Sequence, residues 1–261
     1  MSYKGEKKMS RQKKIILGFL VPIGIVFFWW IVTSQGKVAS SLLPSLPMVG
    51  NAFEEMFQSG QLTQDLLISL SRVIKGFLTA AVLGIFIGAV MGMSKIVCAM
   101  LQPLITTIRQ IPMIAWFPLI ILWCGIGELS KVVIIVLAAF FPVLVNTLKG
   151  IDSTPTGLVE VADMYRLSTW KKFKKLYMPH ALPDILVGLR LALGVSWMAV
   201  VASELVAATS GIGYRMNDAR SMMRSDKVIV CMIVIGIIGV VMDKALSVLF
   251  TKLTPWENIS K

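Results

Sequence analysis

The sequence predicts an all-α polytopic membrane protein of about six transmembrane helices, with a polar helical hairpin on the cytoplasmic side. Three observations carry this reading. The 261 residues are 56% hydrophobic with a mean hydropathy of +0.78, well above a soluble domain. Several apolar runs approach the roughly 20 residues needed to cross a bilayer. The basic residues, which set the net charge at +12, fall between those runs rather than on one soluble face. Basic loops beside apolar spans mark the cytoplasmic side, so this charge does not point to nucleic acid.

Residues 1–14 are polar, with Lys4, Lys7, Lys8, Arg11, Lys13 and Lys14 against Glu6, and are expected in the cytoplasm. Residues 15–261 form a single transmembrane domain. A first span covers residues 15–33, with Trp29 and Trp30 near its outer end, where aromatic belts sit. Its length and the lack of a small-residue cleavage site read as a retained span rather than a signal peptide. Residues 35–65 are then outside, with an extended, kinked piece around Pro44 and Pro47 and a short surface helix over 51–57. The second span covers residues 76–93. Gly84, Gly88 and Gly92 share one of its faces, a small-residue stripe that lets another helix come close. Lys95 marks the cytoplasmic return. The third span, 101–123, is interrupted at Arg109-Gln110-Ile111-Pro112 and again at Pro118. After a short outer turn, 125–131, the fourth span covers 132–148 and carries Pro142 and Asn146. Residues 153–183 return to the cytoplasm, 185–208 form the fifth span, 210–226 an outer loop and 228–250 the sixth span. Both termini and the 153–183 segment thus lie inside. Arg215, Arg220, Arg224 and Lys227 exceed what the charge rule expects outside, offset in part by Asp218 and Asp226.

The 153–183 segment reads as two short amphipathic helices. Thr154 is placed to cap the first and Pro155 suits its first position, where a missing N–H costs nothing. Leu158, Ala162 and Tyr165 recur at helical spacing. Ser168 can cap the second helix, whose apolar face is Trp170, Phe173 and Leu176 or Tyr177, and Pro179 and Pro183 close the segment. Lys171, Lys172, Lys174 and Lys175 agree with the cytoplasmic side. So short a piece is not a domain, and its apolar faces need a partner.

Glu160-Val161-Ala162 is followed three residues later by Arg166, and nine residues after that by Leu176-Tyr177-Met178-Pro179. This resembles the EAA loop of permease subunits in bacterial ABC importers, whose pattern is EAA, three residues, Gly, nine residues, Ile-x-Leu-Pro. Arg166 stands where the family has a glycine that ends the helix in a left-handed turn, a conformation that costs a residue with a Cβ about 1 kcal/mol. Ser69-Leu70-Ser71-Arg72-Val73, Arg109-Gln110-Ile111-Pro112, Leu122-Trp123-Cys124-Gly125-Ile126-Gly127, Gly188-Leu189-Arg190-Leu191-Ala192, Ser210-Gly211-Ile212-Gly213-Tyr214 and Pro255-Trp256 are similar to one branch of that family. This branch serves nitrate, taurine, aliphatic sulfonates, bicarbonate and some vitamin-precursor pyrimidines.

The resemblance implies a permease in the bacterial cytoplasmic (inner) membrane. Two copies, as a homodimer, form the path through the lipid. Two ABC ATPase subunits dock on the hairpins, and an extracytoplasmic solute-binding protein delivers the solute, with an aliphatic sulfonate or taurine first among candidates. The docking residues it implies are Glu160, Val161, Ala162, Arg166, Leu176, Met178 and Pro179. Read from the residues alone, Glu160 is also simply a first-turn acid that suits the helix dipole.

No GxxxxGK[ST] motif and no nucleophile–base pair is present, so the chain reads as a non-enzyme whose ATP is hydrolysed by a partner. No cofactor is expected in it. Cys98, Cys124 and Cys231 have no CxxC spacing and His180 is the sole histidine, which leaves no metal constellation. Ionisable residues inside spans are costly and default to function. Arg109, Asn146 and Glu204 are the candidates for the solute path, Glu204 alternatively pairing with Arg215, while Arg190 and Lys244 can snorkel. A secondary transporter independent of an ATPase is the rival class. It should show two similar halves and mid-membrane acids, which this sequence does not.

Overall fold

A computed structural model describes residues 11–36 and 38–253. Lys4, Lys7 and Lys8 of the basic N-terminus and the Pro255-Trp256 pair lie outside the described residues. Those described form helices and turns without a strand: α1 (Arg11–Ser34), α2 (Leu46–Gln58), α3 (Gln61–Met93), α4 (Lys95–Gln110), α5 (Phe117–Cys124), α6 (Glu128–Asp152), α7 (Thr156–Met164), α8 (Thr169–Lys172), α9 (Met178–Ala207), α10 (Ile212–Ser221) and α11 (Ser225–Leu253). Four helical runs are long and apolar enough to cross a membrane: α3, α6, Thr169–Ala207 and α11. A fifth is broken: α4 and the segment Met113–Cys124 meet at 94°. The break has a local cause. Ile111 precedes Pro112, whose ring excludes the helical conformation for its predecessor, so α4 stops at Gln110. The expected six spans correspond to these five and to α1, whose apolar stretch Leu20–Ser34 is shorter.

The core is a three-helix layer with α6 between α3 and α9. Ile134, Ile135, Ala139, Val143 and Leu144 of α6 are buried on these two sides. The glycine stripe of α3 makes the approach possible. A Cβ at Gly84 would lie 2.8 Å from the Val143 Cβ, at Gly88 2.8 Å from the Leu144 carbonyl oxygen, and at Gly92 2.7 Å from the Ile151 Cγ2. On the other side, Gly188 of α9 faces Asn146 and the Pro142 carbonyl just as closely. Leu78, Val82, Phe86 and Val90 of α3 point away from this layer and are exposed. Of the four long apolar runs, α11 is the least buried, with only 11% of its apolar window inside.

Four local expectations are corrected. The helix of the fifth span does not begin after Pro183, because the chain is helical from Thr169 to Ala207 through both prolines. A π-turn over Phe173–Tyr177 leads directly into α9, whose second residue is Pro179. The outer segment 210–226 is not a loop but holds α10. The piece around Pro47 is not extended, since α2 starts at Leu46 with Pro47 in its first turn. α2 is no mere surface helix either: Val49, Ala52 and Met56, at helical spacing, are buried against the core.

Candidate functional site

The hairpin is built from α7, a tight turn and α8. Its start departs from expectation: Pro155 takes the cap position, and the Thr154 hydroxyl is buried with no hydrogen-bond partner. Proline drives its predecessor into extended backbone, which moves the helix start to Thr156. Ser168 does stand at the N-cap of α8, although its side chain makes no capping bond. Between them, the Leu167 N–H donates to the Ala162 carbonyl (3.1 Å) and the Arg166 N–H to the Asp163 carbonyl (2.8 Å), the two bonds of a Schellman turn. That turn forces Arg166 to a φ of 49°. Arg166→Gly is therefore expected to stabilise the hairpin by about 1 kcal/mol. A small rise in the unfolding temperature would show it, and a fall would mean that the arginine side chain is needed here.

Lys172 of α8 pairs with Asp163 of α7 and ties the two arms. Ala162 is buried, Leu176 and Met178 are half-buried, and Glu160, Val161, Arg166 and Pro179 are exposed. Leu158, Val161, Met164, Tyr165 and Trp170 together expose an apolar surface, Met164 at 83% and Tyr165 at 78%. Most of the docking residues implied by spacing thus share one element with an uncovered apolar face.

Arg109 and Asn146 come together. Both line a cavity of about 530 Å³ between the α4 break, α6 and α9, with Pro112, Trp116, Pro142 and Val195. The Asn146 amide donates to the Pro142 carbonyl at 2.8 Å. Arg109 is exposed to the cavity and makes no hydrogen bond or ion pair among the described residues. A cation held there, in a mostly apolar pocket, can attract and orient an anionic group.

Glu204 lies elsewhere and does not pair with Arg215. It is 1% exposed and belongs to a network at the opposite end of α9 from the hairpin. Arg72, also 1% exposed, is its centre. Its Nη1 donates to Glu204 Oε1 (2.6 Å) and the Ser210 carbonyl (2.7 Å), and its Nε to Glu128 Oε2 (2.9 Å). Its Nη2 donates to the Ser210 hydroxyl (2.9 Å) and to Glu128 Oε1. Successive backbone N–H groups of Gly211, Ile212 and Gly213 donate to Asp65 Oδ1 (2.9 Å), Ser69 Oγ (3.0 Å) and Glu204 Oε2 (3.0 Å). Gly211 has a φ of +109°, and a Cβ there would lie 2.3 Å from Glu204 Oε1. Arg215 instead meets Asp65 at 2.7 Å. Asp65, Ser69 and Arg72 were missed as a group. The signal was three polar residues at i, i+4 and i+7 in the first half of an apolar helix.

The positive bias expected of the outer segment is also reduced. Arg224 and Lys227 both reach Glu55 of α2, at 3.1 and 2.8 Å. Those two cations hold the Glu55 carboxyl below its ordinary range. A depressed carboxylate contributes above its ordinary pKa and is lost as pH falls through the lowered one, so this tie survives neutral pH and fails only in acid. Arg220 remains exposed.

A family model described as binding-protein-dependent transport system inner membrane component matches residues 80–256. The "Putative aliphatic sulfonates transport permease protein SsuC" of Bacillus subtilis (strain 168) is 38% identical over 92% of this chain and 87% of its own. The taurine transport system permease protein TauC of Escherichia coli (strain K12) is 35% identical over 96% of this chain and 92% of its own. A crystal structure of an amino acid ABC transporter with histidines shares the fold with a TM-score of 0.61 at 19% identity, over 77% of this chain and 96% of that one.

Proposed function

Because this chain belongs to the family of binding-protein-dependent transport system inner membrane components, a family of multi-pass permeases, we propose that it forms the path of an ATP-driven importer for a small anion or zwitterion. An aliphatic sulfonate or taurine is the leading solute. Two copies line the path in a bacterial cytoplasmic membrane, with both termini and the hairpin inside. A separate ATPase docks on each hairpin, and an extracytoplasmic binding protein supplies the solute from the α2–α10 side.

The observation that carries this reading is the uncovered apolar face of the hairpin, Leu158, Val161, Met164, Tyr165 and Trp170. Such a patch on a polar element marks a protein interface, and a permease without a nucleotide motif needs one. The solute class rests on the unpaired Arg109 in its cavity and on the sulfonate and taurine permeases that this chain is similar to. Uptake of labelled taurine by cells carrying the full system tests both. Deleting residues 161–167 is expected to abolish uptake and co-purification of the ATPase. Arg109→Ala should leave the ATPase and binding protein docked while lowering uptake about tenfold or more, as losing one charge-assisted contact of about 1.5–3 kcal/mol implies. Unchanged uptake by Arg109→Ala would refute the anion path. Uptake that continues without the ATPase would favour a secondary transporter.

A further inference from the structure

A second cavity, of about 450 Å³, opens where α3 ends, α4 begins and α6 ends. Lys95, the first residue of α4, and Asp152, the last of α6, both line it, together with the Gln102 amide and apolar Met91 and Leu148. The two charges share this space without pairing with each other, and neither makes another ion pair or side-chain hydrogen bond among the described residues.

Their placement is unfavourable for folding. A helix begins with partial positive charge on its free N–H groups and ends with partial negative charge on its free carbonyls. Lys95 adds a cation to the positive end of α4, and Asp152 adds an anion to the negative end of α6. The preference for lysine at the cytoplasmic boundary accounts for Lys95 alone, not for the aspartate that shares its cavity. One wall of the cavity is therefore positive and the other negative, with apolar surface between them.

We propose that this cavity binds a zwitterion, a molecule bearing a sulfonate or phosphate group a few atoms from an ammonium group. The oxyanion is taken by Lys95 and the Gln102 amide, and the ammonium by Asp152. Two sources carry that chemistry: a soluble amino-sulfonate such as taurine, or the phosphoethanolamine headgroup of a membrane lipid. For the lipid, Ile96 and Met100 of α4, 74% and 73% exposed, offer an apolar surface to the acyl chains. The site shares no lining residue with the Arg109 cavity and does not depend on the transport reading.

Native mass spectrometry of the full chain in detergent, with phosphatidylethanolamine and phosphatidylglycerol as probes, tests the lipid source. Calorimetric titration with taurine tests the soluble one. Preferential retention of phosphatidylethanolamine over phosphatidylglycerol, or saturable taurine binding that persists in Arg109→Ala, supports the site and identifies its occupant. Lys95→Gln and Asp152→Asn are each expected to weaken that binding about tenfold, the loss of one charge-assisted contact. Neither should lower the unfolding temperature of the ligand-free protein, since each removes a charge that opposes its helix. The proposal is overturned if neither probe binds, if phosphatidylglycerol is retained as well as phosphatidylethanolamine and taurine does not bind, or if both variants bind like the parent. Earlier unfolding of the ligand-free variants would also overturn it, by making the two charges structural.

Discussion

Replacing Arg72 by alanine is expected to cost about 3–5 kcal/mol, because it strands a buried carboxylate. Arg72 donates to Glu204, Glu128 and both oxygens of Ser210, and Glu204 is as buried as Arg72 itself. Without the guanidinium, Glu204 keeps only Ser69 and the Gly213 N–H. α3, α6, α9 and the turn before α10 then lose their common partner. Arg72→Lys should rescue little, since a single ammonium cannot reproduce a fork that reaches two carboxylates and a carbonyl. The exposed Lys149–Asp184 pair, with Lys149 70% exposed, is the comparison: Lys149→Ala should change stability by no more than about 1 kcal/mol. Thermal unfolding in detergent reads both. Equal, small shifts for the two variants would mean that the buried network contributes nothing to stability.

Gly88→Ala should be among the damaging small changes on α3. The new Cβ would lie 2.8 Å from the Leu144 carbonyl oxygen and 2.9 Å from the Thr147 Cβ, both on α6. Backbone cannot step aside as a flexible side chain can, so α3 and α6 must separate, at about 1–3 kcal/mol for alanine and more for valine or leucine. Gly194→Ala on α9 is the control, because nothing lies within 4 Å of its Cβ. There the better helix propensity of alanine should be neutral or stabilising by up to about 1 kcal/mol. Thermal shifts of opposite sign are the expected result, and a more stable Gly88→Ala would contradict the close-packed interface.

The apolar spans, the glycine stripe and the hairpin were legible because each is written in local period and spacing. The spacing marked Arg166 as standing at a position the family gives to glycine, but only the structure shows that the arginine itself takes the left-handed conformation, φ 49°. What failed was of two kinds. Rules about proline were applied as stops, yet at Pro183 the helix continues, since tertiary packing of Ala181, Ile185 and Leu186 outweighs one missing N–H. Pairings between distant charges were the other failure. Glu204 and Arg72 are 132 positions apart, and Arg215 and Asp65 are 150 apart. No local pattern states which acid a buried arginine will meet. Cavities have the same character: Arg109 and Asn146 were each suspect for being polar within a span, but only folding brings them to one cavity.

The position of α6 has a mechanical consequence. Its 25 residues make a rod of about 37 Å. One tip, Glu128, is bolted to Arg72; the other, Asp152, leads straight into the hairpin base at Ser153. Glycine-tight contacts on both flanks leave no compliant layer along its length, and close-packed helices shift between discrete seatings rather than stretching. Under a displacement applied at the hairpin, α6 is therefore expected to move together with α3 and α9 as one body. The compliance that a moving permease requires is left to the elbow at residues 111–116 and to the loosely seated α11.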